Sequence, residues 1–391
     1  MRQAIGEAVL RMVAVLALAA MLGPAVAGAG EDGPVVIGAV YNLTGGQQNL
    51  DVPSSEGARL AVQRANAEGG LFGRKVEMVE VDGETRPEVI AERTKALFEG
   101  APDLAGVIGL SDTDMVLAAA PVAAAEGRVF LTSGATSPLL PRQVPDYLFL
   151  AAFGDNVQAA AGAEWAFESL GARSAAVLYS GGSTYAQLLQ GYFADSFAAL
   201  GGNVLAVAAY DPGDPAAAVA ALPPVDLIYL AALPDEVAEA VPALRRAGIE
   251  APILGGDGLD IGGAWATVPE ARAVYFTTHA YLGPDSPDPA VIRFREEYAD
   301  AYPGHEPDAF SALGYDAARL LLAAIETAGS PEPEAVRAAL AATRDFAGVT
   351  GTIGYAPGSR IPAKSVTIIG VESGRQSFVA SVLPREIPQP E

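Results

Sequence analysis

"EGGLFGRKVEMVEVDGE", residues 68–84, sets a glycine turn ahead of a β-rich run that ends in an acidic loop. "LGGNVLAVAAYDPGD", residues 200–214, repeats that order much later in the chain. Working outward from each copy gives the same neighbours. Before the first stands the near-continuous apolar run "VVIGAV" (35–40), the mark of a strand buried on both faces. A helical pattern then carries Ala58, Ala61, Val62 and Ala65 on one stripe and stops at Gly69-Gly70. After the first copy come a helix opened by Pro87, the strand "LAGVIGL" (104–110), a helix from Asp114 to Glu126, and the strand "RVFLTS" (128–133). Around the second copy lie "AAVLYS" (175–180), a helix over 184–200, "DLIYLAA" (226–232), a helix over 235–247 and "APILGG" (251–256). Strand and helix alternate throughout, so the sequence predicts an α/β fold with two similar domains, each built on a parallel sheet, and a cleft between them.

The end of the chain belongs wholly to neither copy. "DAFSALGYDAARLLLAAIETAG" (308–329) is a strong helix, and "TGTIGYAPGSR" (350–360) with "KSVTIIGVESGR" (364–375) reads as a β-hairpin-like tail. If these late segments return to complete both domains, the chain crosses between them more than once.

Composition narrows the function. Arg2 and Arg11 precede an apolar run over 12–22, and Ala25-Val26-Ala27 follows, which is the pattern of a cleaved secretory signal over residues 1–27. That run is too short to span a bilayer as a helix, so a soluble exported protein is expected. The chain has no cysteine, which excludes a disulfide scaffold and a thiol nucleophile. A net charge of −23 argues against nucleic-acid binding. His279 and His305 are the only histidines, so no histidine-rich metal site is expected, and no cofactor is called for. A literal G-x-G-x-x-G at residues 28–33 precedes the first strand instead of following it and is not a dinucleotide fingerprint. Gly181 to Tyr185 lacks the closing glycine of a G-x-S-x-G nucleophile elbow.

Ligands of open α/β sheets gather beyond the carboxyl ends of the strands. Five loops there carry polar groups. In "GLSDTD", Thr113 either caps the next helix or offers its hydroxyl to a ligand. In "SGATSP", Gly134 admits close backbone approach and Thr136 adds a hydroxyl, unless the segment is a plain turn before Pro138. Tyr185, in "SGGSTYAQ", covers a ligand or packs in the core. Asp257, in "GGDG", meets a ligand ammonium or closes an Asx turn. The opening loop "NLTGGQQNLD" offers Thr44 and Gln47 to Asn49 to the same space.

In this order, "VVIGAVYNLTG", "GARLAVQRANAEGGLFGRKVEMVEVD", "APVAAAEGRVFLTSGATSP", "LGARSAAVLYS", "AGIEAPILGGDG" and "PDAFSALGYDAARLL" resemble the solute-binding proteins of branched-chain amino-acid ABC importers, across nearly the whole chain after the signal. The resemblance implies a type I periplasmic binding fold: two Rossmann-like lobes joined by a three-strand hinge, with lobe I over 34–152 and 279–350 and lobe II over 153–278 and 351–382. It implies a ligand held by Thr113, by Gly134, Ala135 and Thr136, by Tyr185 and by Asp257, and a monomer that delivers that ligand to an inner-membrane permease from the periplasm. Two aromatic positions of the family fall here near Leu50 and Leu233, so the side-chain pocket departs from a standard leucine binder. A sensor of the same fold and, more remotely, an exported serine hydrolase are the competing expectations.

Overall fold

The computed structural model describes residues 33–390; the segment read as a signal, residues 1–27, lies outside them. The first sheet has the order β2-β1-β3-β4-β5, from β1 (Val35–Tyr41), β2 (Val76–Asp82), β3 (Val107–Gly109), β4 (Phe130–Thr132) and β5 (Leu148–Leu150), and all its pairings are parallel. The second has the order β14-β13-β10-β9-β8-β6-β7, from β6 (Ser174–Ser180), β7 (Asn203–Tyr210), β8 (Leu227–Ala231), β9 (Ile253–Gly255), β10 (Val274–Thr278), β13 (Val366–Glu372) and β14 (Arg375–Val382). Hydrophobic pattern sorts centre from edge. In β1 every residue but Val36 is buried, as a strand covered by helices on both faces requires, whereas β7 alternates exposed and half-buried positions at the sheet edge. Both parallel arrangements run 2-1-3 or its equivalent 7-6-8, which opens a crevice where the order reverses.

Helices cover both faces. α1 (Gln48–Ala67), α2 (Pro87–Gly100) and α3 (Thr113–Ala125) serve the first sheet, while α4 (Asp155–Trp165), α5 (Thr184–Ala199) and α6 (Val237–Arg246) serve the second. α7 (Pro289–Ala301), α8 (Ala309–Ala328) and α9 (Pro333–Ala341) return to the first core, where Phe294, Leu320 and Leu340 are buried. α8 opens with a capping box in which Ser311 N donates to Asp308 Oδ1 at 2.8 Å and Asp308 N to Ser311 Oγ at 2.9 Å. It lies directly on α1 through two glycines. A methyl group at Gly57 would fall 1.9 Å from the Ser311 carbonyl oxygen, and one at Gly314 would fall 1.9 Å from that of Ser54.

The chain passes between the lobes three times, and the passages touch. Leu150 N donates to Arg360 O at 3.0 Å, Lys364 Nζ to Ala151 O at 3.2 Å, and the Phe153 ring stacks on His279 at 3.9 Å. Three features differ from the sequence reading. The late β segments do not pair with each other: β12 (Gly351–Ile353) pairs with β11 (Phe346–Gly348), and β13 with β14, in separate sheets. Ile353 and Tyr355 lie in the first core, so the last passage runs from there to Val366, beyond the 350/351 boundary read from sequence. The second sheet is mixed, because β13 joins β10 and β14 antiparallel.

Candidate functional site

Loops from the carboxyl ends of β3, β4, β6, β8 and β9 converge on one narrow cavity between the lobes, with an empty volume of about 310 Å³ counting its mouth. Lobe I contributes Leu50, Ser111, Asp112, Thr113, Thr136 and Phe310; lobe II contributes Tyr185, Leu233, Pro234, Asp257 and Gly258. The structure thus brings Thr113, Thr136, Tyr185 and Asp257 together. Gly134 and Ala135 do not reach the wall. Gly134 lets its loop close on Ser111, where a methyl group would meet Ser111 Cβ at 2.9 Å, and Ala135 packs in the first lobe's core. Thr44 is turned away, its hydroxyl donating to Asp82 Oδ2 at 2.8 Å, and Leu50 stands at the cavity in place of Gln47 to Asn49. The two positions where the family's aromatics were missed, Leu50 and Leu233, both line the cavity.

On lobe I the backbone itself aims the site. Gly109 and Leu110 have φ of +136° and +51°, and this left-handed bend after β3 swings Ser111 to Thr113 into the cleft. A non-glycine residue held at positive φ stores strain of the kind that collects at binding sites. Asp112, not Thr113, caps α3: its Oδ1 accepts from Asp114 N at 3.0 Å and Met115 N at 3.2 Å. That leaves Thr113 Oγ1 free for another partner. Both it and Ser111 Oγ are buried without a hydrogen-bond partner among the described residues, which is costly unless something in the cavity supplies one.

On lobe II the centre is the Asp257 carboxylate, only 4% exposed. Its Oδ1 accepts from Tyr185 Oη at 2.8 Å and Gln158 Nε2 at 2.7 Å, and its Oδ2 lies 3.1 Å from His279 Nε2. Gln158 is fixed in turn by Thr277 Oγ1, which donates to its Oε1 at 2.7 Å, and Tyr185 Oη accepts from Gly258 N at 3.1 Å. An Asx turn is therefore not the task of this side chain. Three donors occupy a group with about four acceptor positions, which leaves room for one ligand donor.

Electrostatically the site is short of positive charge. Burial first, then Asp257, pushes the Asp155 carboxyl up to about 8; burial, then Asp114, pushes Asp112 up to about 6. Asp51, buried beside Ser111, is raised by burial to about 7. Burial lowers the His279 imidazole against the pull of Asp257. No lysine or arginine lines the cavity. Sequence reasoning missed Gln158 and His279 as members of the site: Gln158 lies within α4, and His279, directly after β10, was read only as lying near the crossing between lobes. It missed Asp112 although aspartate outranks threonine as a helix cap.

A second concavity lies on the outer face of lobe II, between α4, α5 and the tail around Arg385 to Pro388. It is larger, about 1440 Å³ of empty volume, but gathers no residues from the carboxyl ends of the strands. The interlobe cavity is the site that the fold itself constructs.

A model of the periplasmic binding protein family matches residues 34–376. The chain belongs to this family. A Leu/Ile/Val-binding protein of Rhizobium johnstonii is 26% identical over 350 residues, covering 87% of this chain and 92% of its own. Among solved structures, the branched-chain amino acid transporter substrate-binding protein LivJ of Streptococcus pneumoniae, in complex with isoleucine, superposes with a TM-score of 0.81 at 26% identity, covering 90% of this chain and all of its own. The leucine-binding protein LivK of Thermotoga maritima gives 0.80 at 29% identity, covering 90% and 99%. The periplasmic-binding fold expected from the sequence is the fold observed. No helix among the described residues is long and apolar enough to cross a membrane.

Proposed function

We propose that this periplasmic binding protein is the extracytoplasmic solute-binding component of an ABC importer, taking a small amino acid or a related carboxylate or amide between its lobes and presenting it to an inner-membrane permease. One observation carries the reading: Thr113 on lobe I and Asp257 on lobe II line the same buried cavity, so a ligand there touches both lobes at once. Contacts that exist only when the lobes are together are the differential binding that lets a ligand drive closure. The ammonium would sit at the open acceptor position of Asp257, beneath the Tyr185 ring, with Ser111 and Thr113 hydroxyls and Thr136 on the facing wall. The named relatives, which bind leucine, isoleucine or valine, support an amino-acid ligand, while Leu50 and Leu233 shape the side-chain end differently from the sequence pattern of that group. Delivery requires no bond making. Ser183, the residue closest to a hydrolase motif, spends its hydroxyl on Ala186 N at 3.2 Å as the cap of α5. The protein acts as a monomer in the periplasm on this reading.

The test is thermal unfolding of the purified protein against a panel of amino acids, amides and aromatic carboxylates. A ligand at 100 times its Kd adds about 2.7 kcal/mol of stability. Stabilisation by amine-bearing compounds is expected; stabilisation only by acids that lack an amine would overturn the assignment of Asp257.

A further inference from the structure

We propose that the cleft selects a small ligand of net positive charge, of which a basic amino acid is the simplest case, and that Asp112 sets this preference. The inference rests on the reading of the cleft as an amine-binding site and goes beyond it by naming the charge of the whole ligand. Its basis is that Asp112 and Asp257 face the cavity from opposite lobes while no lysine or arginine lines it.

A neutral amino acid needs a place for its carboxylate as well as for its ammonium. In a fold of this kind the natural place is a helix N-terminus, where free N–H groups and the helix dipole favour an anion. Here two of those donors are taken. The Asp112 carboxylate already accepts from Asp114 N and Met115 N at the start of α3, so a ligand carboxylate there lies beside a negative group and is favoured only in a ligand whose other groups carry surplus positive charge. Both bonds fall on Oδ1, and although the Gln47 side chain also bonds this carboxylate, a group with about four acceptor positions keeps room for a cation.

One further carboxylate deepens the deficit, while Asp155, fully buried and sharing the Gln158 amide with Asp257, holds its proton to about 8 and adds no charge at neutral pH. Asp114 lies at the seam between the lobes, where Thr184 N of lobe II donates to its Oδ2 at 3.3 Å. The nearby bases do not balance them. His279 is buried against Phe153, and burial holds it toward its neutral form. Lys364 is engaged within the hinge by Ala151 O and by Thr350 Oγ1, at 3.2 and 2.6 Å.

Closing the lobes therefore brings like charges together, and only a ligand that offsets them makes the closed state favourable. The buried hydroxyls of Ser111 and Thr113 point independently to a ligand at this wall, since neither has a hydrogen-bond partner among the described residues.

Binding of L-lysine, 1,4-diaminobutane, L-norleucine and benzoate, measured by calorimetry on the wild-type protein and on Asp112→Asn, tests the proposal. Norleucine has the carbon chain of lysine without the terminal ammonium, and diaminobutane covers the case of a site too short for lysine. Asparagine preserves the cap of α3 and the volume of the side chain. At least one cation is expected to bind 10-fold or more tightly than norleucine, and Asp112→Asn is expected to cut that ratio about 10-fold by weakening the cation alone. Norleucine binding as tightly as both cations, or a ratio unmoved by Asp112→Asn, would overturn the proposal while leaving the amine site standing. Binding of benzoate with none of the three amines would instead overturn the amine site itself.

Discussion

Replacing Asp155 by asparagine is expected to stabilise the ligand-free protein at alkaline pH. Asp155 opens α4 and is fully buried; its Oδ1 accepts from Gln158 Nε2 at 3.0 Å, and Oδ2 has no partner among the described residues. Burial first, and the Asp257 charge second, raise its carboxyl from 3.8 to about 8. The unfolded chain releases this proton near 3.8 and the folded chain near 8, so between those values the folded state binds more protons. Stability accordingly falls as pH rises through that window and levels off above it. The interval, about 8 minus 3.8 or ~4 units, sets a ceiling of ~6 kcal/mol at ~1.4 kcal/mol per unit. Side-chain rearrangement and the loss of a favourable charge at the start of α4 reduce this to on the order of 1–2 kcal/mol between pH 5 and pH 8.5. Asparagine keeps the acceptor toward Gln158 and carries no charge to bury. Urea unfolding of both proteins at the two pH values provides the comparison. The stability gain of the variant should be larger at pH 8.5 than at pH 5; a gain that is equal at both, or a loss that grows with pH, would refute the electrostatic reasoning.

Tyr185→Phe removes the hydroxyl that donates to Asp257 and accepts from Gly258 N, and should weaken ligand binding by roughly 3- to 10-fold, about one hydrogen bond, with the far-UV spectrum unchanged. Gly314→Ala drives a methyl group against the Ser54 carbonyl where α8 meets α1 and should cost ~3 kcal/mol in urea unfolding. Its counterpart Gly191→Ala, in α5 where nothing lies within 4 Å of the added methyl, should gain roughly 0.5–1 kcal/mol in the same assay.

The repeated strand and helix pattern was legible because parallel strands buried on both faces read as unbroken apolar runs, as "VVIGAV" does. One short strand gave no such signal. β5 is three residues long, and its sequence, Leu-Phe-Leu, does not distinguish a strand from any other buried turn of chain. The tail was read as one hairpin because two β-rich segments stand close in sequence. Pairing depends on which core their apolar faces enter: Ile353 enters the first and Ile369 the second.

At the site, residues in strand-end loops were found by position alone, and Thr113, Thr136, Tyr185 and Asp257 do meet at one cavity. Gly134 and Ala135 came from the same loop yet lie behind the wall, since a loop of this kind shows only some of its residues to the cleft. Gln158 and His279 act on Asp257 from a helix and from a lobe crossing. Neither lies near it in sequence; nothing in its local pattern marks Gln158, and His279 is marked only by its place directly after β10.

The most direct test is calorimetric titration of an amine-bearing ligand from the thermal panel into the wild-type protein and into Asp257→Ala. The structure predicts saturable 1:1 binding to the wild type and a loss of about 10- to 100-fold in the variant, the cost of one charge-assisted hydrogen bond in a buried site. Equal affinity in the two proteins would contradict the account, because the ligand would then bind somewhere other than against the carboxylate on which the cleft converges.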